Sequence, residues 1–233
     1  MTMTQEQTAA QEHRIRSYVI RQGRITDGQQ AALDNLGPKY LLELGDKPFE
    51  LNAVFGTKAP VVLEIGFGMG KSFIEMAVDN PQLNFLGIEV HPPGVGACLK
   101  LIEANQLTNV KLIRCDALEV LKHGFMPESL QVVQVFFPDP WPKKRHHKRR
   151  LINADFIKLI QPLLKSGGHV RLATDWEEYA HEMLVVMKSA AGFENTAPDG
   201  GFIPRPQWRP LTKFEQRGST LGHGIWDLDF VKK

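Results

Sequence analysis

Cysteine is scarce in this sequence. Among 233 residues there are two, Cys98 and Cys115, far short of the four thiolates that bind a tetrahedral zinc ion. Each lies in an apolar pattern, and burial in apolar surroundings raises the pKa of a thiol. We therefore interpret both as reduced core residues rather than as catalytic nucleophiles.

Long apolar runs are also missing. The first residues, MTMTQEQTAAQEHR, are polar and include Glu6 and Glu12, so they lack the basic and apolar segments of a secretory signal. No apolar run approaches the roughly 20 residues that a membrane-spanning helix requires. We expect a cytoplasmic protein that does not enter a membrane.

Net charge is low, at +2, but it is unevenly distributed. Six of the 28 lysines and arginines fall in residues 143–150, KKRHHKRR, where even spreading would place about one. Such a basic run is typical of a surface that faces a polyanion, although a solvated face or a nuclear import signal has the same composition. His146 and His147 have no nearby cysteine or further histidine pattern, so we expect no metal site.

Apolar runs and helical patterns alternate along most of the chain, whose length suits one domain with a tail. Residues 1–12 are expected to form a disordered tail and 13–60 a basic, polar lead-in containing Arg14, Arg16, Arg21 and Arg24. The folded domain is expected to span 61–233. Strands are predicted at 61–65, 84–89, 110–115, 132–137 and 169–174, and helices near 71–79, 93–105, 117–122, 151–165 and 176–190.

This alternation favours a parallel sheet with helices on both faces. Two final strands are predicted at 192–195 and 225–231, with no helix-length crossover between them. We therefore expect them to form an antiparallel pair at one edge of the sheet.

A glycine-rich loop follows the first predicted strand in LEIGFGMGKS, residues 63–72. A nucleoside triphosphate loop needs glycine where Ile65 stands, and that interpretation fails. The glycines are spaced Gly-x-Gly-x-Gly, which weakens a dinucleotide fingerprint without excluding it. The loop either lets the backbone approach a ligand or only makes a tight turn into the next helix.

Four acidic residues fall at or just beyond the ends of successive strands: Glu64, Glu89, Asp116 and Asp139. Open α/β sheets bind their ligands at this edge, although a single acid there is often a helix N-cap. Crowded carboxylates repel a pyrophosphate and suit a ligand that carries positive charge, such as the sulfonium and ammonium groups of S-adenosylmethionine.

The segment FFPDPWPKKRHHKRR, residues 136–150, places Asp139 between two prolines directly before the basic run. Proline fixes φ and removes flexibility, so the carboxylate should be held in one direction. Trp141 in the same segment either stacks on a base or packs the loop.

These motifs resemble the bacterial tRNA (guanine-N7)-methyltransferase family. The resemblance runs from about residue 13 to the C-terminus and rests on LEIGFGMGKS, GIEVH, CDA, FFPDPWPKKRHHKRR and TKFEQRG. It implies a Rossmann-like class I methyltransferase fold, with a seven-stranded, mostly parallel sheet, an antiparallel edge strand and helices on both faces. It also implies methyl transfer from S-adenosylmethionine to N7 of a guanine in the tRNA variable loop, at position 46.

The resemblance further assigns residues to the site. Glu64 and the glycine loop with Gly66 and Gly68 would face the methionine part of the cofactor, Glu89 its ribose, Asp116 its adenine, and Asp139 the reacting methyl group. The implied substrate contacts are Lys143, Asp175, Thr212, Lys213, Phe214 and Glu215. The positions linked to RNA binding or activity are Arg21, Arg145, His146 and Arg149.

Local structure offers alternatives for three of these residues. Thr212 and Glu215 are spaced as a capping box, and Asp175 precedes a predicted helix that it could cap. For the whole chain, the alternatives are a non-catalytic RNA-binding module and a nicotinamide-dependent oxidoreductase. The glycine spacing and the basic run argue against the latter. The sequence does not decide between a monomer and a homodimer.

Overall fold

The computed structural model describes residues 16–18, 23–211, 215 and 224–233. The predictions made for the first dozen residues and for Arg21, Thr212, Lys213 and Phe214 lie outside the described residues.

The described residues form one eight-stranded sheet in the order β1-β4-β3-β2-β5-β6-β8-β7. Strand β8 is antiparallel to both β6 and β7, and the other pairs are parallel. The strands are β1, Leu41–Leu42; β2, Val61–Ile65; β3, Asn84–Ile88; β4, Val110–Ile113; β5, Leu130–Phe136; β6, Leu164–Thr174; β7, Phe193–Asn195; and β8, Trp226–Lys232. The predicted parallel sheet with an antiparallel edge is confirmed, and β1 is a short eighth strand that two residues could not reveal.

Helices cover both faces of the sheet. They are α1, Asp27–Tyr40; α2, Leu51–Phe55; α3, Lys71–Asp79; α4, Pro92–Ala104; α5, Ala117–His123; α6, Ala154–Ile160; and α7, Glu177–Ser189. Two short 3₁₀ helices span Lys144–Arg149 and Gln161–Leu163. No helix in the part of the chain that is described is long and apolar enough to cross a membrane.

The predicted helix over 151–165 is too long. Helix α6 begins at Ala154 because Asn153 accepts hydrogen bonds from the backbone N–H groups of Asp155 and Phe156. Pro162 lies in the 3₁₀ turn that follows, and β6 starts at Leu164, five residues earlier than predicted.

Part of the expected lead-in is built into the fold. Thr26 and Gln29 form a reciprocal capping box that starts α1, and Tyr40 at its end is buried. Helix α1 packs closely on α4, since a Cβ on Gly96 would lie 2.5 Å from the Gln29 carbonyl oxygen. The expected boundary at residue 60 remains a prediction.

The hydrophobic core consists of two clusters, one on each face of the sheet. In β2, Leu63 and Ile65 join the cluster that contains residues of α6 and α7, whereas Val62 joins the cluster of α1, α3 and α4. This follows from the strand period of two residues. Because both faces are covered, the strands are buried throughout their centres, which explains their continuously apolar sequences.

Candidate active site

The carboxyl ends of β2, β3, β4 and β5 meet at one edge of the sheet and enclose a cavity of about 500 Å³. Gly66, Glu89 and Asp139 line it, as do Cys115 and Ala117 on either side of Asp116. The chain proceeds from β2 outward to β4 and then crosses to β5 on the other side of β2. The cavity thus lies at the topological switch point, where doubly wound sheets bind ligands.

Glu89 is fixed in this cavity by backbone donors. One carboxylate oxygen accepts hydrogen bonds from the N–H groups of Val90 (2.7 Å) and His91 (2.9 Å). The other accepts from the N–H of Gly68 at 2.9 Å. The glycine loop and the acid 21 residues later therefore form one preorganised unit.

The glycines of the loop have different roles. All three have positive φ, at 80° for Gly66, 59° for Gly68 and 79° for Gly70. A Cβ on Gly70 would lie 2.6 Å from Cys98 Sγ on α4, so this glycine is needed for helix packing. Gly66 lines the cavity. The tight-turn interpretation fits Gly70, and the ligand interpretation fits Gly66.

Glu64 lies beside the cavity but does not line it. Its side chain is on the α3 face of the sheet, 3% exposed, and accepts a 2.6 Å hydrogen bond from the amide of Gln134 in β5. Burial raises its pKa to about 7, although the bond from Gln134 opposes this rise. Of the four predicted acids, Glu89 and Asp139 line the cavity, Asp116 lies between two lining residues, and Glu64 lies in the adjacent core.

Asp116 has two roles at once. It is the N-cap of α5, accepting a hydrogen bond from the N–H of Leu118 at 2.9 Å, so the capping interpretation is correct. Its negative charge also acts on the Tyr18 hydroxyl, and Tyr18 lines the cavity. Burial, followed by the charge of Asp116, raises the pKa of Tyr18.

Asp139 lies in a turn between Phe137 and Trp141, both of which have the left-handed backbone conformation, with φ of 53° and 47°. Such a conformation is uncommon outside glycine and marks a constrained backbone. The Asp139 side chain is exposed and accepts no hydrogen bond from the residues that the structure describes. Its carboxylate is therefore available at the wall of the cavity.

Trp141 packs the loop. Its indole N–H donates to the carbonyl of Ser17 at 3.2 Å, the Arg149 guanidinium lies 4.9 Å from its ring, and His146 meets it edge-on at 5.9 Å. Of the two interpretations of this tryptophan, packing is the one that the structure shows.

The basic run forms the 3₁₀ helix Lys144–Arg149 and is not uniformly exposed. Lys143 and Arg145 are exposed, whereas His146 and Arg149 are half-buried. Desolvation, followed by the positive charges of Arg145 and Arg149, lowers the pKa of His146. Arg150 is 2% exposed, so the expectation that the whole run faces RNA is wrong for this last residue.

Asp175 follows β6 at the same edge of the sheet and is half-buried. Helix α7 has Trp176 at its N-cap position, with no side-chain capping bond. The capping interpretation of Asp175 is therefore wrong.

Glu215 is buried in an ion-pair cluster that the sequence did not reveal. Arg209 donates to both of its carboxylate oxygens, at 2.7 and 3.1 Å, and Arg205 donates to one of them at 2.7 Å. Arg209 also binds both oxygens of Asp227 at the start of β8. The sequence offers only a weak signal for this cluster, namely two arginines in RPQWRP and two aspartates in WDLDF. No local spacing connects the two segments.

Comparison with known proteins agrees with this architecture. Residues 58–228 match the family model described as "Putative methyltransferase". The tRNA (guanine-N(7)-)-methyltransferase of Aeromonas hydrophila is 55% identical over 219 residues, covering 94% of this chain and 92% of the relative. The chain belongs to the tRNA (guanine-N(7)-)-methyltransferase family. The assignment to this family, and with it the expectation of an enzyme, is confirmed.

Other members of the tRNA (guanine-N(7)-)-methyltransferase family are equally similar over almost the whole chain. The Pseudomonas entomophila protein of that name is 51% identical over 230 residues, covering 99% of this chain and 96% of the relative. The Yersinia enterocolitica protein is 54% identical, covering 94% of this chain and 92% of the relative.

Solved structures support the methyltransferase fold. The aminoglycoside resistance methyltransferase NpmB1 superposes with a TM-score of 0.54 at 17% identity, covering 79% of this chain and 92% of that one. TrmN from Thermus thermophilus gives a TM-score of 0.51 at 18% identity, covering 88% of this chain and 48% of that one. At these identities the likeness concerns the fold alone.

Proposed function

We propose that the protein transfers the methyl group of S-adenosylmethionine to N7 of the guanine at position 46, in the variable loop of tRNA. The observation that carries this proposal is the position of Asp139. Its exposed carboxylate lies at the wall of the cavity and four residues before the exposed part of the basic run. The site therefore joins a pocket for a cationic small molecule to a surface for a polyanion.

The cavity fits S-adenosylmethionine in size and chemistry. A volume of about 500 Å³ is in the range of small-molecule sites. Ile65, Ile88 and Val135 give it apolar walls that suit an adenine ring. Glu89, held by three backbone donors, is oriented to accept the ribose hydroxyls, and the surrounding carboxylates favour a sulfonium and an ammonium group.

Asp139 is the proposed catalytic residue. When bound, S-adenosylmethionine supplies a methyl group on a positively charged sulfur, and transfer to N7 moves that charge to the guanine ring. N7 carries an in-plane lone pair and no proton, so positioning should dominate and no base is required to create the nucleophile. A fixed carboxylate beside the acceptor would stabilise the charge as it develops on the purine.

The RNA is proposed to approach across the basic 3₁₀ helix. Lys143 and Arg145 are exposed there, and Arg149 is half-buried against Trp141, so these side chains can reach phosphates on one surface. His146 lies among them with a lowered pKa. It would therefore contribute hydrogen bonding rather than charge.

Asp175 and residues 212–215 are the remaining proposed substrate contacts. Asp175 is on the correct edge of the sheet, beyond β6. Glu215 is held by Arg209 and Arg205 with its side chain only 5% exposed. Direct acceptance of the guanine N1–H and amino group would therefore require Glu215 to leave these arginines.

Methylation of defined tRNA transcripts tests the proposal. The protein, labelled S-adenosylmethionine and unmodified tRNA should yield N7-methylguanine at position 46 alone. A matched transcript with 7-deazaguanine at that position lacks the acceptor nitrogen and should take up no label. Label on adenine, at another guanine, or in the 7-deaza transcript would contradict the proposal.

The same assay separates catalysis from RNA binding alone. A non-catalytic RNA-binding module predicts no transfer by the wild-type protein and no effect of Asp139→Asn on any cellular phenotype. We expect transfer by the wild type and its loss in the variant, with tRNA binding retained.

A further inference from the structure

The turn that carries Asp139 has few backbone donors with which to hold itself. Pro138, Pro140 and Pro142 lack an N–H group. At the start of the turn, the N–H of Phe137 donates a hydrogen bond to the Ala173 carbonyl in β6 at 2.8 Å. Between Phe137 and Trp141 only Asp139 retains a backbone N–H, and no described residue accepts a hydrogen bond from it, so carbonyl oxygens and side chains hold the turn.

Arg150 binds the turn through one of these carbonyl oxygens. Its Nε donates to the carbonyl oxygen of Pro140, the residue after Asp139, at 2.9 Å. The guanidinium lies 4.9 Å from the ring of Tyr179 and the side chain is 1% exposed. A charge-assisted hydrogen bond shielded from water is stronger than its exposed counterpart.

The other side of the same guanidinium is bound to α7. Nη1 donates to Glu182, and both Nη atoms lie 3.5 Å from Glu178. Nη2 also lies 3.1 Å from Nε2 of His147. Both glutamates belong to α7, which begins two residues after Asp175. Arg150 thus connects the Asp139 turn to the helix that follows Asp175.

Tyr179 adds a second connection at the same place. Its hydroxyl accepts a hydrogen bond from the N–H of Ile152 at 2.9 Å, two residues after Arg150. Tyr179 is fully buried. The segment that leaves the basic run is therefore fixed on α7 at two adjacent points.

We propose that Arg150 is a positioning residue for methyl transfer: it binds the Pro140 carbonyl on one side and the α7 carboxylates on the other, and so fixes the direction of Asp139. The inference deepens the proposed function and rests on it. Arg150 belongs to the basic run by sequence but serves the cofactor side of the site rather than the RNA phosphates.

The expected effect is on the chemical step. A displacement of about 1 Å in an aligned reaction costs on the order of a hundredfold in rate. Arg150→Met removes all donors to Pro140 and should lower the single-turnover rate with saturating tRNA and S-adenosylmethionine by about ten- to a hundredfold. Arg150→Lys keeps the charge beside α7 but cannot donate to the Pro140 carbonyl and the α7 carboxylates at once. Its single-turnover rate should therefore lie between those of the wild type and Arg150→Met.

Two further measurements separate positioning from a merely structural role or an RNA contact. Hydrogen exchange in peptides covering 137–146 should accelerate in Arg150→Met. The slope of log Kd for tRNA against log salt should remain that of the wild type, because a lost phosphate contact would reduce it by about one unit. Glu182→Gln weakens only the contact of Arg150 with α7. It should lower the single-turnover rate and accelerate exchange in 137–146 less than Arg150→Met does.

The matched control is Ile102→Ala, a fully buried α4 residue in the opposite core cluster. It should lower Tm without changing the single-turnover rate below the transition or the exchange of 137–146. An unchanged single-turnover rate in Arg150→Met, with Tm lowered as in the control, would overturn the proposal. So would a flattened salt slope, which would place Arg150 on a phosphate.

Failure of the proposed function is distinguishable from failure of this inference. If the wild-type protein methylates no guanine N7, the proposed function fails. The exchange measurement does not depend on activity and still shows whether Arg150 holds the turn.

Discussion

The guanidinium of Arg209 donates two hydrogen bonds to the carboxylate of Glu215, at 2.7 and 3.1 Å, in a site almost closed to solvent. The same guanidinium binds Asp227 of β8 with equally short bonds. One arginine therefore connects Glu215 to the antiparallel edge of the sheet. Burial opposes ionisation of Glu215, but the bonds from Arg209 and Arg205 outweigh it and lower the pKa of this carboxyl.

Removing Arg209 should be strongly destabilising. Arg209→Met leaves Asp227 as a buried charge without its bidentate partner, and breaking a buried ion pair in this way costs about 3–5 kcal/mol. Urea unfolding measures the loss. The control is Lys158→Met, which removes an exposed ion pair with Asp155 on α6 and should change the free energy of unfolding by less than about 1 kcal/mol.

Glu64 should make stability depend on pH. Its pKa is about 7 in the folded protein, against an ordinary value of 4.5, so the folded state binds this proton more tightly than the unfolded chain. Its contribution is therefore fully present below pH 4.5 and is lost as pH rises through 7, a change of roughly 3 kcal/mol. Urea unfolding from pH 4.5 to 8 should show the free energy of unfolding of the wild type falling relative to that of Glu64→Gln. If the two proteins show the same pH dependence, the raised pKa of Glu64 is contradicted.

Asp139→Asn should affect the chemistry rather than the fold. The side chain is exposed and accepts no hydrogen bond from the described residues, so Tm should change little. Loss of a group that stabilises transition-state charge typically costs about a hundredfold or more in rate. Single-turnover methylation with saturating substrates measures this; a rate equal to wild type would show that the carboxylate is not used.

Glu89→Gln should weaken cofactor binding. The carboxylate accepts three backbone N–H groups and faces the cavity, whereas an amide has only one acceptor oxygen. We expect the Kd for S-adenosylmethionine to rise at least tenfold by calorimetry. Glu103→Gln, an exposed change on α4, is the matched control and should leave this Kd unchanged.

Arg145→Gln and Arg149→Gln should each reduce the salt dependence of tRNA binding. If each side chain neutralises one phosphate, the slope of log Kd against log salt should fall by about one unit per variant. Lys158→Gln, on the exposed face of α6, controls for net charge and should leave the slope unchanged. Unchanged slopes in both variants would place the basic run away from the RNA.

The order of strands and helices was predictable because its signals are local. Alternating apolar runs and helical patterns revealed seven of the eight strands, and β1 was missed because two residues carry no period. The acids at the cavity were predictable for a related reason. Carboxyl ends of parallel strands meet at one edge, so Glu89, Asp116 and Asp139 were expected there before any contact was known.

Contacts between segments distant in sequence decided the features of the site that could not be predicted. The sequence determined a doubly wound sheet, a glycine loop beside acidic strand ends, and a rigid aspartate before a basic run, because each depends on neighbours along the chain. Only the tertiary structure showed that Glu64 lies in the core, that Trp141 packs on Ser17, and that Arg209 holds Glu215. It also separated Arg150 from the basic run, because burial depends on which helix packs against a side chain, and no local pattern encodes that.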